Sequence, residues 1–145
     1  MKVWDIAEKY SDYVIEQRRK FHMYPERSLN EYKTCEMICE ELKTIGLEPR
    51  VVCNTGVIVD IGDRSRTGRT ACIRADIDAL PVPEETGVEY ASRNEGFSHA
   101  CGHDAHTAMA ICAAKIIKEI EDTEGLDDAW HHDADGWCHR RSLLA

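Results

Sequence analysis

Residues 99–106 read HACGHDAH, three histidines, a cysteine and an aspartate in eight positions, and the run from Thr107 to Ile120 follows directly. In that run Ala108, Cys112, Ile116 and Ile120 recur at every fourth position, which predicts an amphipathic helix with small residues in its first turns, suited to close packing on a sheet. The cluster therefore sits at a loop-to-helix junction. Its side chains are those that ligate borderline metals such as zinc. Cys101 and His103 are one residue apart, so on a turning backbone their donors can converge on one ion, and Gly102 permits the tight conformation between them. Asp104 and His106 fall at the start of the helix, where exposed backbone N–H groups favour anions. The structural alternative is a small buried thiol at Cys101 with packing or surface histidines around it.

Upstream, RADIDALP spans Arg74 to Pro81 at the end of an expected strand. Asp76 and Asp78 would then lie where ligands bind in open α/β sheets; the alternative is a solvated loop start using aspartate as a turn residue. From Asp76 to Ser98 periodicity is lost, as in a functional loop. Its adjacent Glu84 and Glu85 are either an acid/base pair or a solvated one. Val51–Cys53, Val57–Ile61 and Thr70–Ala75 are short, rich in β-branched or small apolar residues, and bounded by Asn54, Gly56, Gly62 and Gly68. They predict three strands, the last two joined by the polar connection DRSRTGR. Before them, Ile6, Tyr10, Tyr13, Val14 and Phe21 predict one helix from Asp5 to about His22. Ser28 with Glu31 has the form of a capping box for a second helix over Tyr32–Ile45, stopped by Gly46.

A length of 145 residues sets one domain at most. No apolar run approaches the roughly 20 residues of a bilayer crossing, and MKVWDIAEKY lacks the apolar stretch of a signal peptide. Cytoplasmic residence is the expectation. With 18 basic against 27 acidic residues and a net charge of -9, nucleic-acid binding through a general electrostatic surface is excluded. Seven scattered cysteines, an odd number, suit a reducing compartment better than a disulfide framework. Residues 121–145, EDTEGLDDAWHHDADGWCHRRSLLA, carry dense acids without an apolar period. Their His131, His132, Cys138 and His139 match no zinc module of known spacing.

The ordered blocks RRKFHMYPERSLNE, TGVIVDIG, IRADIDALPVPEETG and HACGHDAHTAMAICAA resemble the aminoacylase and carboxypeptidase family of metal-dependent amidohydrolases. The similarity is to the branch with hippurate hydrolase, N-acetyl-diaminopimelate deacetylase and the auxin-conjugate hydrolases, and runs from about Ile15 to Glu119. It implies an α/β fold, the N-terminal part of a three-layer α/β/α zinc-peptidase-like catalytic domain without the lid or dimerisation domain. The implied reaction is hydrolysis of an N-acyl amino acid or related small amide with two divalent ions (Zn, Mn, Co or Ni). By that resemblance Cys101, as thiolate, and His103 are metal ligands. Asp78 falls where the family has an aspartate orienting a ligand, and Asp76 where many relatives have a histidine ligand. Asp104, His106 and His22 become supporting residues.

The resemblance also implies a Glu pair after the CGHDAH helix, and residues 121–145 contain none. The expected organisation is thus residues 1–120 as a partial catalytic domain and 121–145 as a divergent acidic tail, out of frame or disordered. Such a fragment is expected to be inactive alone and to self-associate through exposed sheet. The other class of function is a non-catalytic module in which Cys101, His103, Cys138 and His139 close a structural zinc site, or an inert truncated product.

Overall fold

The computed structural model describes residues 3–62 and 70–124. Its elements, in chain order, are α1 (Val3–Lys9), α2 (Ser11–His22), α3 (Tyr32–Thr44), β1 (Arg50–Val52), β2 (Gly56–Ile58) and α4 (His103–Glu124). The expected N-terminal helix is present as two. Tyr10, with φ -100 and ψ 13, separates them. The break lets neighbouring side chains reach one acceptor on α4: Lys9 Nζ lies 2.8 Å from Glu119 Oε1, and the Tyr10 hydroxyl donates to the same carboxylate.

α3 matches its expected span, but its cap differs. The Ser28 side chain does not cap it; Glu26 does, accepting from Thr34 N at 2.7 Å and from the Thr34 hydroxyl at 2.8 Å. Glu31 turns elsewhere, taking Leu29 N and the Thr55 hydroxyl, both at 2.8 Å. Local spacing suggested a capping box, while the loop before α3 folds so that an earlier carboxylate reaches the exposed N–H groups first. The helix ends as expected at Gly46, whose φ of 85 is left-handed; Gly46 N bonds Lys43 O and Leu47 N bonds Leu42 O, the paired closure of a glycine stop.

β1 and β2 form an antiparallel hairpin with Val51 opposite Val57. Cys53 (φ 50) and Asn54 (φ 74) lie in its turn, so β1 ends one residue short of the expected Cys53. The expected strand over 70–75 forms no ladder among the described residues. Even so, Ala75, Ile77 and Ala79 are buried while Arg74, Asp76, Asp78 and Leu80 are not. That alternation is strand-like. It turns one face into the core and presents the two aspartates on the other. The segment is tied in by Ala79 N to Glu26 O at 2.7 Å and by reciprocal 3.1 Å bonds between Leu80 and Ser98.

The core gathers Phe21 of α2, Ile38 and Leu42 of α3, Val57 of β2, Ile77 of the extended segment, and Ile111 and Ala114 of α4. Ala108 and Ala114 are wholly buried. Their small side chains let α4 approach its neighbours closely, but its main partner is helix α2 and not the sheet that the small-residue pattern predicted. Burial pushes the Cys35 thiol up to about 11 and the Cys112 thiol upward as well, so these two cysteines behave as packing groups. No helix among the described residues is long and apolar enough to cross a membrane. Residues 63–69 and 125–145, with the expected polar connection, His131, His132, Cys138 and His139, lie outside the described residues.

Candidate metal centre

α4 starts at His103, earlier than the expected Thr107, so His103, Asp104 and His106 all lie in its first turn. Gly102 makes that entry possible. Its φ is 87 and a Cβ built there meets nothing within 4 Å, so backbone conformation and not crowding selects glycine.

Asp78 is the point where the two sequence clusters meet. Its Oδ1 lies 2.9 Å and its carbonyl O 3.0 Å from His103 Nδ1, and the same carbonyl is 3.7 Å from Cys101 Sγ. A histidine whose Nδ1 is held by a carboxylate offers Nε2 to an ion, the arrangement that fixes tautomer and ring orientation in many metal sites. Asp76 faces the same space: one donor atom each of Asp76, His103 and His106 lie within 4.8 Å of one another. The His103 and His106 rings stack, with centroids 5.5 Å apart. Arg74 pairs with Asp76 Oδ1. Nitrogen and oxygen donors at this separation, with a thiol close by, fit a divalent transition ion.

Beneath this face lies a second set. Asp104 is fully buried and receives Arg18 Nε at 2.7 Å and His22 Nδ1 at 2.6 Å on Oδ2. The other nitrogen of His22 is 2.9 Å from Glu84 Oε2, so its ring stands between two carboxylates on different segments. Glu84 is held below the usual carboxylate range, first by the Thr86 hydroxyl and further by backbone N–H groups of Thr86 and Ser92 and by His22. These contacts lock α2, the 76–98 loop and the start of α4 to one another. His22 and Asp104 thus support the face from behind without joining the Asp76–His103–His106 group.

The sequence assigned Arg18 no role and left Glu84 and His99 with open ones, Glu84 as half of an acid/base or solvated pair and His99 as one histidine of the quoted block. The fold brings Arg18 to Asp104 and Glu84 to His22, 86 and 62 residues away in sequence. His99, inside the quoted block, is 4% exposed, and neither ring nitrogen has a partner among the described residues. Burial lowers its pKa to about 4, Asp104 opposing and His22 and His103 adding to the shift.

Residues 72–128 match the model of peptidase family M20/M25/M40. The chain is 47% identical over 107 residues to the N-acetyl-L-cysteine deacetylase of Bacillus subtilis, covering 73% of this chain and 26% of that one. It is 44% identical over 110 residues to the N-acyl-L-amino acid amidohydrolase of Geobacillus stearothermophilus, covering 75% and 30%. A solved Bacillus subtilis structure, described as a dinuclear metal binding peptidase from the M20 family, superposes with TM-score 0.72 at 39% identity, over 77% of this chain and 32% of that one. The chain spans about a third or less of the length of these relatives.

Proposed function

We propose that this chain, a partial member of peptidase family M20/M25/M40, supplies one side of a metal-dependent amidohydrolase site acting on N-acyl amino acids. The observation that carries this reading is the convergence of Cys101 Sγ and His103 Nδ1 on Asp78, joined to the similarity to two N-acyl amino acid hydrolases. In the complete site Cys101 and His103 would each give a donor to a centre of two divalent ions. Such a centre supplies Lewis-acid polarisation of the amide carbonyl and a nucleophilic water at neutral pH.

The chain's own residues prepare that face. Asp78 holds Nδ1 of His103 and so presents Nε2. Gly102 sets the angle between Cys101 and His103. Asp104, braced by Arg18 and His22, keeps the first turn of α4 in place, and Glu84 ties the loop to His22. Residues 1–120 act as part of a catalytic domain and residues 121–145 as a divergent tail, so the chain by itself is expected to be inactive. Hydrolysis of a small anionic amide needs no nucleic acid or membrane partner, and a cytoplasmic enzyme accords with cysteines outside disulfides. A two-stranded sheet presents outward edges, and self-association is the expected behaviour in size-exclusion chromatography.

The test is a graft: residues 15–119 replace the matching segment of the Bacillus subtilis deacetylase, and amine release from N-acetyl amino acids is followed with added zinc or manganese. Turnover that disappears in Cys101→Ser and His103→Ala supports the reading. A folded, metal-loaded graft with no turnover overturns it.

A further inference from the structure

We infer that the groove between α2 and α4 binds a small amphipathic monocarboxylate, with its carboxylate on Arg19 and its hydrocarbon chain along Ile15 and Met109. The inference is independent of the amidohydrolase reading. None of the residues that line the groove offers a donor to the candidate metal centre, which gathers on the side of α4 that faces Asp76 and Asp78.

The groove measures about 270 Å³, close to the roughly 300 Å³ at which small-molecule sites begin. Helix spacing produces its walls. Val14, Ile15, Arg18 and Arg19 form two pairs one turn apart on one face of α2, and Ala105, Ala108 and Met109 stand opposite on α4. Two of those three α4 residues are alanines, so no long side chain from their positions fills the space between the helices. Ile15 and Met109 are 49% and 54% exposed. An alkyl chain laid on them removes from water an apolar surface that the fold itself leaves wet.

Tyr90, from the loop over 76–98, closes one end and organises the charge. Two guanidinium groups lie over its ring, Arg19 with Cζ 5.0 Å and Arg18 with Cζ 5.3 Å from the centroid, and the His22 ring meets it edge-on at 5.5 Å. The two arginines differ in what they have left to give. Arg18 Nε is committed to the buried Asp104 at 2.7 Å, and its Nη1 donates to the Tyr90 hydroxyl at 3.3 Å. Arg19 is exposed and makes no ion pair among the described residues. In a chain with 27 acidic against 18 basic residues, an arginine that escapes pairing while resting on an aromatic ring beside an apolar groove is charge-complementary to an external anion. The ring contact holds the guanidinium in place and leaves its N–H fork for the two oxygens of a carboxylate. A neutral apolar ligand would not use Arg19, and a compact polar anion would not use Ile15 and Met109. The two halves together select an amphipathic monocarboxylate.

The experiment is isothermal titration calorimetry of sodium octanoate into the whole chain, below the micelle concentration and with octan-1-ol as the uncharged control. The expected result is one saturable site per chain, with hexanoate several-fold weaker because two fewer methylenes are buried, and octan-1-ol at least about tenfold weaker than octanoate. Arg19→Gln should lower octanoate affinity at least about tenfold, Arg19→Lys less, since it keeps the charge without the fork, and Met109→Ser several-fold. Arg19 and Met109 are exposed, so these variants keep the fold, with circular dichroism as the control. Equal affinity for octanoate and octan-1-ol, unchanged affinity in Arg19→Gln, or no saturable binding by the native chain would each overturn the inference. Affinity that falls as chain concentration rises would assign the groove to a second copy and overturn it equally. Turnover by the grafted deacetylase is a separate observable, so this inference and the amidohydrolase reading fail independently.

Discussion

Asp78 touches His103 twice, its carboxylate 2.9 Å and its carbonyl 3.0 Å from the same Nδ1. A loop aspartate thereby dictates which nitrogen of a helix-borne imidazole faces outward. Asp78→Ala should weaken zinc binding by about ten- to a hundredfold while leaving its stoichiometry unchanged. Competition with a chromogenic chelator reads this directly. An affinity equal to that of the native chain would show that the ring is oriented by something else.

The buried carboxylate of Asp104 compensates Arg18 and His22 together. In Asp104→Ala both lose their shared partner, and unfolding in urea should occur with about 3–5 kcal/mol less stability. The upper end is reduced because the Arg18 side chain is 35% exposed and partly solvated. Asp104→Asn retains an acceptor and should lie between.

His99 gives stability a pH dependence. Its folded pKa, lowered from 6.5 to about 4 mainly by burial, means that between those values the unfolded chain binds a proton that the folded one does not. Stability from this group is therefore complete above pH 6.5 and declines as pH falls toward 4, by about 3 kcal/mol in total. His99→Phe should flatten that limb of the stability curve in the metal-free protein. An unchanged slope in urea melts across this window would count against a neutral buried ring.

The cap of α3 separates two local readings. Glu26→Ala should cost about 1 kcal/mol, because Thr34 N loses its acceptor at the helix start, whereas Ser28→Ala should be near neutral. Thermal melts of the pair decide between them, with equal losses contradicting the observed geometry.

Gly102 gives a prediction on backbone strain alone. With open space around the built Cβ and φ at 87, Gly102→Ala should cost about 1–2 kcal/mol. It should also weaken cobalt binding, since the turn sets where α4 begins. A stability loss with unaltered affinity would show that the turn and the ligand face are independent.

The sequence by itself determined the elements whose signals are local. The fourfold recurrence of small and apolar residues after HACGHDAH produced α4, Gly46 ended α3, and Gly102 marked the tight entry to the helix. The chemical face was also legible, because Asp76, Asp78, Cys101, His103 and His106 sit in two short blocks. Tertiary structure decided what those blocks do to each other. The capping residue of α3 is Glu26 and not Ser28, because the loop's path sets which carboxylate arrives. The helix breaks at Tyr10, because Glu119, 109 residues later, accepts both Lys9 and Tyr10. The segment over 70–75 keeps a strand's side-chain alternation without a ladder among the described residues, since alternation belongs to the chain and pairing to its neighbours. Arg18, Glu84 and His99 acquire their roles only from burial and from contacts across the fold. Periodicity and turn chemistry are written residue by residue, whereas hydrogen-bond partners and desolvation arise only when distant segments close on one another.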